Sequence, residues 1–286
     1  PEAKVIAEYL MLQKRIAQVG SWLDALDSSF DNRVHGSVLT LRTITGRMAH
    51  AKPNMAQVPA GYSPFGKECR TCWTVPKGKV LVGIDASGIE LRMLAHYMRD
   101  PKYVEELLNG DIHTLNQKNA GLETRDQAKT FIYAFLYGAG SKKIGSIVGS
   151  GAKKGKELID NFLKQTPSLA LLRNRVTQEA GRSWLRGLDN RKIWVRSPHS
   201  ALNTKLQGAA AVVMKKALVL FAEGLSKDVK IVANVHDEWQ VECDASEGNL
   251  VGKLGVDAII DAGKYYKLNC PLDGEYKLGN NWSETH

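Results

Sequence analysis

Residues 80–92 read Val-Leu-Val-Gly-Ile-Asp-Ala-Ser-Gly-Ile-Glu-Leu-Arg, and few folds accommodate that order. Four of the first five residues are apolar, which suits a buried strand. The strand delivers one carboxylate, Asp85, at its end. Ala86, Ser87 and Gly88 follow, small enough for the backbone to turn tightly and approach a ligand. A helical pattern starts at Ile89, with Leu91, Leu94 and Ala95 on its apolar side. An acid on such a strand-to-helix junction holds a fixed position and can hold a metal.

A second acid of this kind lies far along the chain. Residues 231–235, Ile-Val-Ala-Asn-Val, form another short apolar run, followed by His236, Asp237 and Glu238. Trp239, Val241 and Cys243 then alternate with Gln240 and Glu242. The pattern predicts a β-hairpin over 231–243 with acids at its tip and an alternating second strand. Two hard oxygen ligands on separate rigid elements suit a pair of Mg2+ ions; such ions, about 4 Å apart, clamp the attacking and leaving oxygens of a phosphoryl transfer. Taken singly, each acid reads equally well as a solvated residue at a strand end.

The chain has 286 residues, enough for a good core and two lobes, and a formal charge of +9 that suits a polyanionic partner. No apolar run approaches the roughly 18 residues that a membrane span needs. The first residues form an amphipathic helix with acids in it, unlike a signal peptide. A soluble, intracellular protein with no membrane partner is therefore expected. Four cysteines are present, and the pair Cys69 and Cys72 has no second close pair to complete a zinc site. Free thiols in a reducing compartment are expected.

Residues 1–19 predict a helix and 20–33 a loop or short helix. The chain enters in mid-helix, so it reads as a piece of something longer. Residues 35–59 are dense in Gly, Thr, Arg and His; Arg42, Arg47, His50, Lys52, Asn54 and Gln57 are donors suited to phosphates and minor-groove edges, on what is otherwise an ordinary solvated hairpin. A Pro/Gly-rich connector spans 61–79. His113 follows a Gly-Asp turn, where a lone histidine is more often structural. Residues 141–184 predict basic helices. Arg191, Lys192 and Arg196 surround Trp194, a nucleic-acid-like surface. A long helix is expected over 199–221, with Asn203, Thr204 and Gln207 near its start, then a helix over 248–262 and a final strand over 270–278.

Thr124 can cap a helix that ends at Gly138. Arg125, Lys129, Tyr133 and Tyr137 recur every four residues, each step turning about 40° around the axis, so all four share one face. Ala128, Phe131, Ile132 and Phe135 make the far face apolar. Two cations followed by two rings suit a nucleoside triphosphate lying along the helix: phosphates at Arg125 and Lys129, sugar and base at the tyrosines. An amphipathic helix with a snorkelling Arg and Lys is the plainer alternative.

Together, Asp85-Ala-Ser-Gly-Ile-Glu90, the 125–138 stripe and His236-Asp-Glu238 resemble motifs A, B and C of the DNA polymerase I family (family A), in the same order and spacing. Thr45-Gly-Arg-Met-Ala-His50, Gly110-Asp-Ile-His113, Lys129-Thr-Phe-Ile-Tyr133 and Ser197-Pro-His-Ser-Ala-Leu-Asn203 resemble, within it, the replicative polymerases of short-tailed bacteriophages. The resemblance covers essentially the whole chain.

It implies an α+β right-hand polymerase fold: a thumb base over 1–35, a palm with antiparallel sheet over 36–97 and 201–286, and helical fingers over 98–200. It implies a template-directed DNA polymerase using two Mg2+ ions on primer-template DNA and deoxynucleoside triphosphates, in the cytoplasm of an infected bacterial host. Asp85, Asp237 and the Ala86 carbonyl resemble the metal ligands. Arg125, Lys129 and His113 would hold the triphosphate, with Lys129 also a general acid. Tyr133 would pack on sugar and base, Tyr137 beside the templating base, and Glu90 against the sugar's 2′ side. Tyr133, where many members carry Phe, implies weak discrimination against dideoxynucleotides. Arg47, Gln207, Asn203 and His199 would contact DNA and His236 the primer terminus. Closure of the 125–137 helix would test base-pair shape. Members usually carry a thumb and an exonuclease-type domain ahead of the palm. A separate chain or missing segment is expected to supply them. A single-subunit RNA polymerase, a non-catalytic DNA-binding subunit and a metal-dependent nuclease are the rival readings. Glu90, the full set of expected catalytic residues and the nucleotide stripe count against them in turn.

Overall fold

The computed structural model describes residues 2–286. Pro1, placed by the sequence reading in the first helix, lies outside the described residues. In chain order the elements are α1 (Glu2–Asp27), β1 (Ser37–Leu39), β2 (Ala49–Ala51), α2 (Gly66–Thr71), β3 (Lys79–Ala86) and α3 (Ile89–Met98). Next come α4 (Pro101–Asn109), α5 (Ile112–Ala120), α6 (Arg125–Leu136), α7 (Ser141–Ser146), α8 (Ala152–Gln165) and α9 (Pro167–Ala180). The chain closes with β4 (Trp184–Arg186), β5 (Lys192–Trp194), α10 (Ala201–Gly224), β6 (Lys230–Val235), β7 (Glu238–Asp244), α11 (Gly248–Tyr265) and β8 (Gly274–Gly279). Two compact units result among the described residues, one from residues up to Ala86, Leu218–Ala258 and Gly274–His286, the other from Ser87–Ala217 and Ile259–Asp273.

The first unit is built on an antiparallel sheet in the order β6-β7-β3-β8. The register sets Ile84 beside Trp239 and Tyr276, and Val82 beside Val241 and Leu278. These residues make one apolar face, on which Val82, Ile84, Trp239, Val241 and Cys243 are fully buried. The first part of α11 lies close on it because Gly252 meets the Tyr276 ring and Gly255 meets Ile84, where a Cβ would collide. Phe221 stacks on Trp239, ring centroids 5.1 Å apart.

The opposite face carries Leu81, Gly83 and Asp85 beside Glu242, Gln240 and Glu238. Alternation along β7 suggests that this polar set faces solvent. Instead, Glu238, Gln240 and Glu242 are buried. The C-terminal turn covers them: Thr285 donates its hydroxyl to Gln240 Oε1 (2.7 Å), and Trp282 donates its indole N–H to Glu238. A small core of Trp22, Val58, Cys69, Leu81 and Trp282 continues this layer.

Four further expectations are corrected. The first helix runs on through Gly20 to Asp27, because a lone helical glycine weakens a helix without ending it. The 61–79 connector contains α2. The helix expected to reach Trp184 stops at Ala180, and Trp184 opens the β4–β5 hairpin. The last strand starts at Gly274, after a loop held by Arg92, which donates to the Pro271 carbonyl.

The second unit is mainly helical, and its caps are those written in the sequence. Asp100 caps α4 with Pro101 at the first position, and Asp111 caps α5. Thr124 and Gln127 form a reciprocal capping box on α6, and Gly138 leaves it with φ +76°. Ala128, Phe131, Ile132 and Phe135 are all buried, with Phe131 and Phe135 packed edge-on against Phe162 of α8. His199 sits in a 3-10 turn just before α10, outside the long helix expected to begin there. Among the described residues no helix is long and apolar enough to cross a membrane.

Candidate active-site residues

The first unit gathers the acids. Asp85 is the penultimate residue of β3, and the register places it between Glu238 on one side and Glu275 on the other. Val235 pairs with Glu238, so β6 and β7 are joined by only His236 and Asp237. His236 has φ +61°, a left-handed conformation that L residues adopt at a cost and that tight hairpins demand. The Ala86 N–H donates to the Asp237 carbonyl (3.0 Å), fastening the hairpin tip to the end of β3.

The electrostatics follow from this crowding. Burial pushes the Asp85 carboxyl up to about 7, and Asp237, Glu238 and Glu275 add to the rise while His286 opposes it. Glu238, also buried, is held below the usual carboxylate range. Its partners are His286 (Nδ1 to Oε2, 2.9 Å), Trp282 and Gln240, with Arg70 at 4.0 Å. One acid of this face is thus compensated by the protein, and its neighbour Asp85 is short of positive charge. A hard cation with oxygen ligands answers that shortage. Among the described residues no group of three or more His, Cys, Asp or Glu forms a closed metal cage. Two carboxylates and a backbone carbonyl fit Mg2+, which keeps waters and accepts phosphate oxygens.

Arg47, in the turn between β1 and β2, accepts the Thr43 hydroxyl on its carbonyl (2.8 Å). This hairpin rests on β6 through Met48 and Asn234 (3.6 Å). Cys69 and Cys72 are free thiols.

The second unit assembles the stripe of two cations and two rings on α6. Arg125 and Lys129 are exposed on α6, Tyr133 is half-buried, and Tyr137 caps the helix. His113, in the first turn of α5, lies against this face with its ring 6.4 Å from that of Tyr133. Burial, then the charges of Arg125 and Lys129, lower the His113 pKa and favour the neutral ring. Tyr137 donates its hydroxyl to Glu90 Oε1 (3.0 Å), joining the end of the stripe to the first turn of α3. Gln207 and Asn203 are half-buried on α10, and the His199 carbonyl lies against Gly138.

Two groups escaped the sequence reading. Asp111 pairs with Arg125 (2.7 Å), and Glu238 is buried in a polar network with Arg70 and Trp282. The Gly-Asp-Ile-His order signals the cap at Asp111 but not its pairing with Arg125, and nothing local signals the second.

A family model described as DNA polymerase family A matches residues 1–284. The DNA-directed DNA polymerases of Enterobacteria phage T3 and Escherichia phage T7 are each 44% identical over alignments of 322 residues, which cover 99% of this chain and 46% of theirs. DNA polymerase I of Caldicellulosiruptor bescii is 28% identical, over 98% of this chain and 36% of that protein. The chain thus spans about half the length, or less, of these curated relatives. The solved POL domain of Pol1 from M. smegmatis, in complex with DNA primer-template and dNTP, shares the fold with TM-score 0.84 at 22% identity, over 94% of this chain and 51% of that one.

Proposed function

The chain belongs to DNA polymerase family A, and from that membership we propose that it is the nucleotidyl-transfer part of a template-directed DNA polymerase, adding deoxynucleotides to a primer 3′-hydroxyl. The observation that carries this reading is the pairing of a proton-hungry Asp85 with Asp237 at the tip of a two-residue hairpin. Such a pair is a poor resting place for two negative charges and a good one for divalent metal.

Asp85, Asp237 and the Ala86 carbonyl hold two Mg2+ ions in this reading. Bound there, the ions lower the pKa of the primer hydroxyl and neutralise the triphosphate and the departing pyrophosphate. Arg125, Lys129 and a neutral His113 grip the triphosphate, with Lys129 the candidate to protonate the pyrophosphate. Tyr133 packs on sugar and base. Glu90, held by the Tyr137 hydroxyl, blocks the 2′ position, and Tyr137 stands by the templating base. His236 touches the primer terminus, and Arg47, Gln207, Asn203 and His199 read DNA. The palm comprises residues 36–97 and 201–286, the fingers 98–200 and a thumb base 1–35. A thumb and an exonuclease-type region come from a further segment or a separate chain, in keeping with the share of the relatives that is matched.

Primer extension with Mg2+ and deoxynucleotides, beside an Asp85→Ala control, tests the reading. Extension that the control abolishes supports it. Extension that survives in the control sinks the assignment of Asp85. No extension by the intact chain, even with a thumb-bearing segment of a relative added, sinks the proposed activity.

A further inference from the structure

Two of the phosphate-contact candidates are fastened to one carboxylate. Asp111 Oδ1 accepts the backbone N–H of His113 (3.1 Å) and of Thr114 (3.3 Å). Its Oδ2 accepts the Thr114 hydroxyl (2.8 Å) and the Arg125 Nε–H (2.7 Å). A carboxylate offers about four acceptor positions, so these four donors saturate it. Asp111 is itself anchored, because its backbone N–H donates to Glu106 Oε1 (3.1 Å). The group stays ionised, its pKa held far below the usual carboxylate range by Arg125 first and then Thr114.

The choice of guanidinium atom matters. The contact uses Nε, and among the described residues the two terminal nitrogens of Arg125 make no hydrogen bond. That leaves the outer edge of the fork, on a side chain 52% exposed, for a bidentate phosphate contact. An unpaired arginine at the first residue of a helix samples many rotamers; this one has its Nε tied to an anchored carboxylate. The same carboxylate fixes the first turn of α5, and with it the backbone that carries His113. A bare acid beside a triphosphate site would repel the ligand, but here its charge is matched by Arg125 and its lone pairs are occupied.

We propose that Asp111 is a positioning residue that sets Arg125 and His113 in a fixed relation, ready for the phosphates of the incoming nucleotide. The inference rests on the polymerase reading above and assigns no contact between Asp111 and the substrate.

Asp111→Asn tests it, because asparagine keeps the helix cap and loses the ion pair. Asp111→Ser, another capping residue, serves as the second variant should the first fold poorly. Two measurements are made on the full chain: direct binding of a labelled deoxynucleoside triphosphate by equilibrium dialysis with Mg2+ and primer-template, and single-nucleotide incorporation. Binding and KM should weaken about fivefold, the upper end of what an exposed ion pair contributes, while kcat stays within about twofold. With Arg125 already changed to Ala, adding Asp111→Asn should move KM by less than about twofold, since its partner is gone. Unchanged or tighter binding in Asp111→Asn overturns the proposal, as does an equal loss in both backgrounds. Nucleotide binding without incorporation in the unsubstituted chain would count against the activity while leaving this inference open to the dialysis measurement. A chain that binds no nucleotide overturns both.

Discussion

Replacing Asp85 by asparagine should make the metal-free chain more stable, and increasingly so as pH rises. An ordinary aspartate titrates near 3.8, whereas Asp85 in the fold is pushed up to about 7 by burial and by Asp237, Glu238 and Glu275. The fold therefore favours the protonated form. Its contribution to stability is complete below pH 3.8 and is lost as pH climbs through 7. The gap is worth on the order of 4 kcal/mol at the alkaline end, and solvent reaching the partly exposed carboxyl reduces it to about 2 kcal/mol between pH 5 and pH 8. Asparagine has the same shape and does not titrate. Urea unfolding in a chelator, followed by tryptophan fluorescence at pH 5, 6, 7 and 8, reads the stability difference between the two proteins. It should grow by about 2 kcal/mol over that range and level off above pH 8. At pH 8, added Mg2+ should then stabilise the unsubstituted chain more than the asparagine variant, because a ligand that binds only the folded site stabilises it by mass action. A flat difference across the pH range, or a less stable asparagine variant at pH 8 without metal, would refute the claim that Asp85 is an uncompensated charge.

Three other substitutions probe the surroundings of the two constellations. Gly83→Ala would drive a Cβ into the Thr285 carbonyl oxygen and the Gln240 side chain; a loss of about 2 kcal/mol in urea unfolding is expected, and a change below about 0.5 kcal/mol would show that the C-terminal turn is loosely held. Glu90→Ala removes the acceptor of the Tyr137 hydroxyl and the proposed 2′ barrier; the ratio of ribonucleotide to deoxynucleotide incorporation should rise about tenfold or more, and an unchanged ratio would remove Glu90 from sugar selection. His236→Gly places the residue suited to φ +61° at the hairpin tip; stability should hold or rise by up to about 1 kcal/mol while primer extension falls, and a stability loss of about 2 kcal/mol would instead make the imidazole a structural anchor.

Where the fold was legible, the reason is local chemistry. The Val80–Ile84 run, the small residues after Asp85 and the apolar repeat from Ile89 each fix their own conformation, and strand, turn and helix follow as expected. Thr124, Gln127 and Gly138 delimit α6 because capping is an interaction among near neighbours. The four-residue repeat identifies the stripe because helix geometry alone brings those positions onto one face. The misreadings share the opposite property. Gly20 weakens a helix without deciding its end, and two residues beyond it Trp22 is packed against Trp73, ring centroids 5.1 Å apart, a contact remote in sequence that holds the continued helix in place. Alternation in β7 separates two faces but cannot say that the polar one is covered, since the cover comes from Trp282 and Thr285 at the far end of the chain. The Asp111–Arg125 pair joins the cap of α5 to the first residue of α6, a contact that no single-helix pattern contains.

That hidden cover explains how the acid tip tolerates its own charge. Burial and the neighbouring acids outweigh what favours the Asp85 carboxylate, so its position must be held by backbone and neighbours. The backbone part is the Ala86 N–H on the Asp237 carbonyl and the pairing of β3 with strands on both sides. The neighbour part is Glu238, which faces Asp85 across the ladder and would repel it freely if mobile. Trp282, Gln240 and His286 bind Glu238, with Arg70 at 4.0 Å. Arg70 itself lies over the Trp282 ring, 4.7 Å from its centroid, and donates to the Pro59 carbonyl (3.0 Å). A carboxylate so bound keeps its charge and its place. Two consequences follow from one network: Glu238 is held in place at the acidic end of the β3–β7 ladder, and its charge is compensated while Asp85 beside it stays short of positive charge, where a divalent ion would bind.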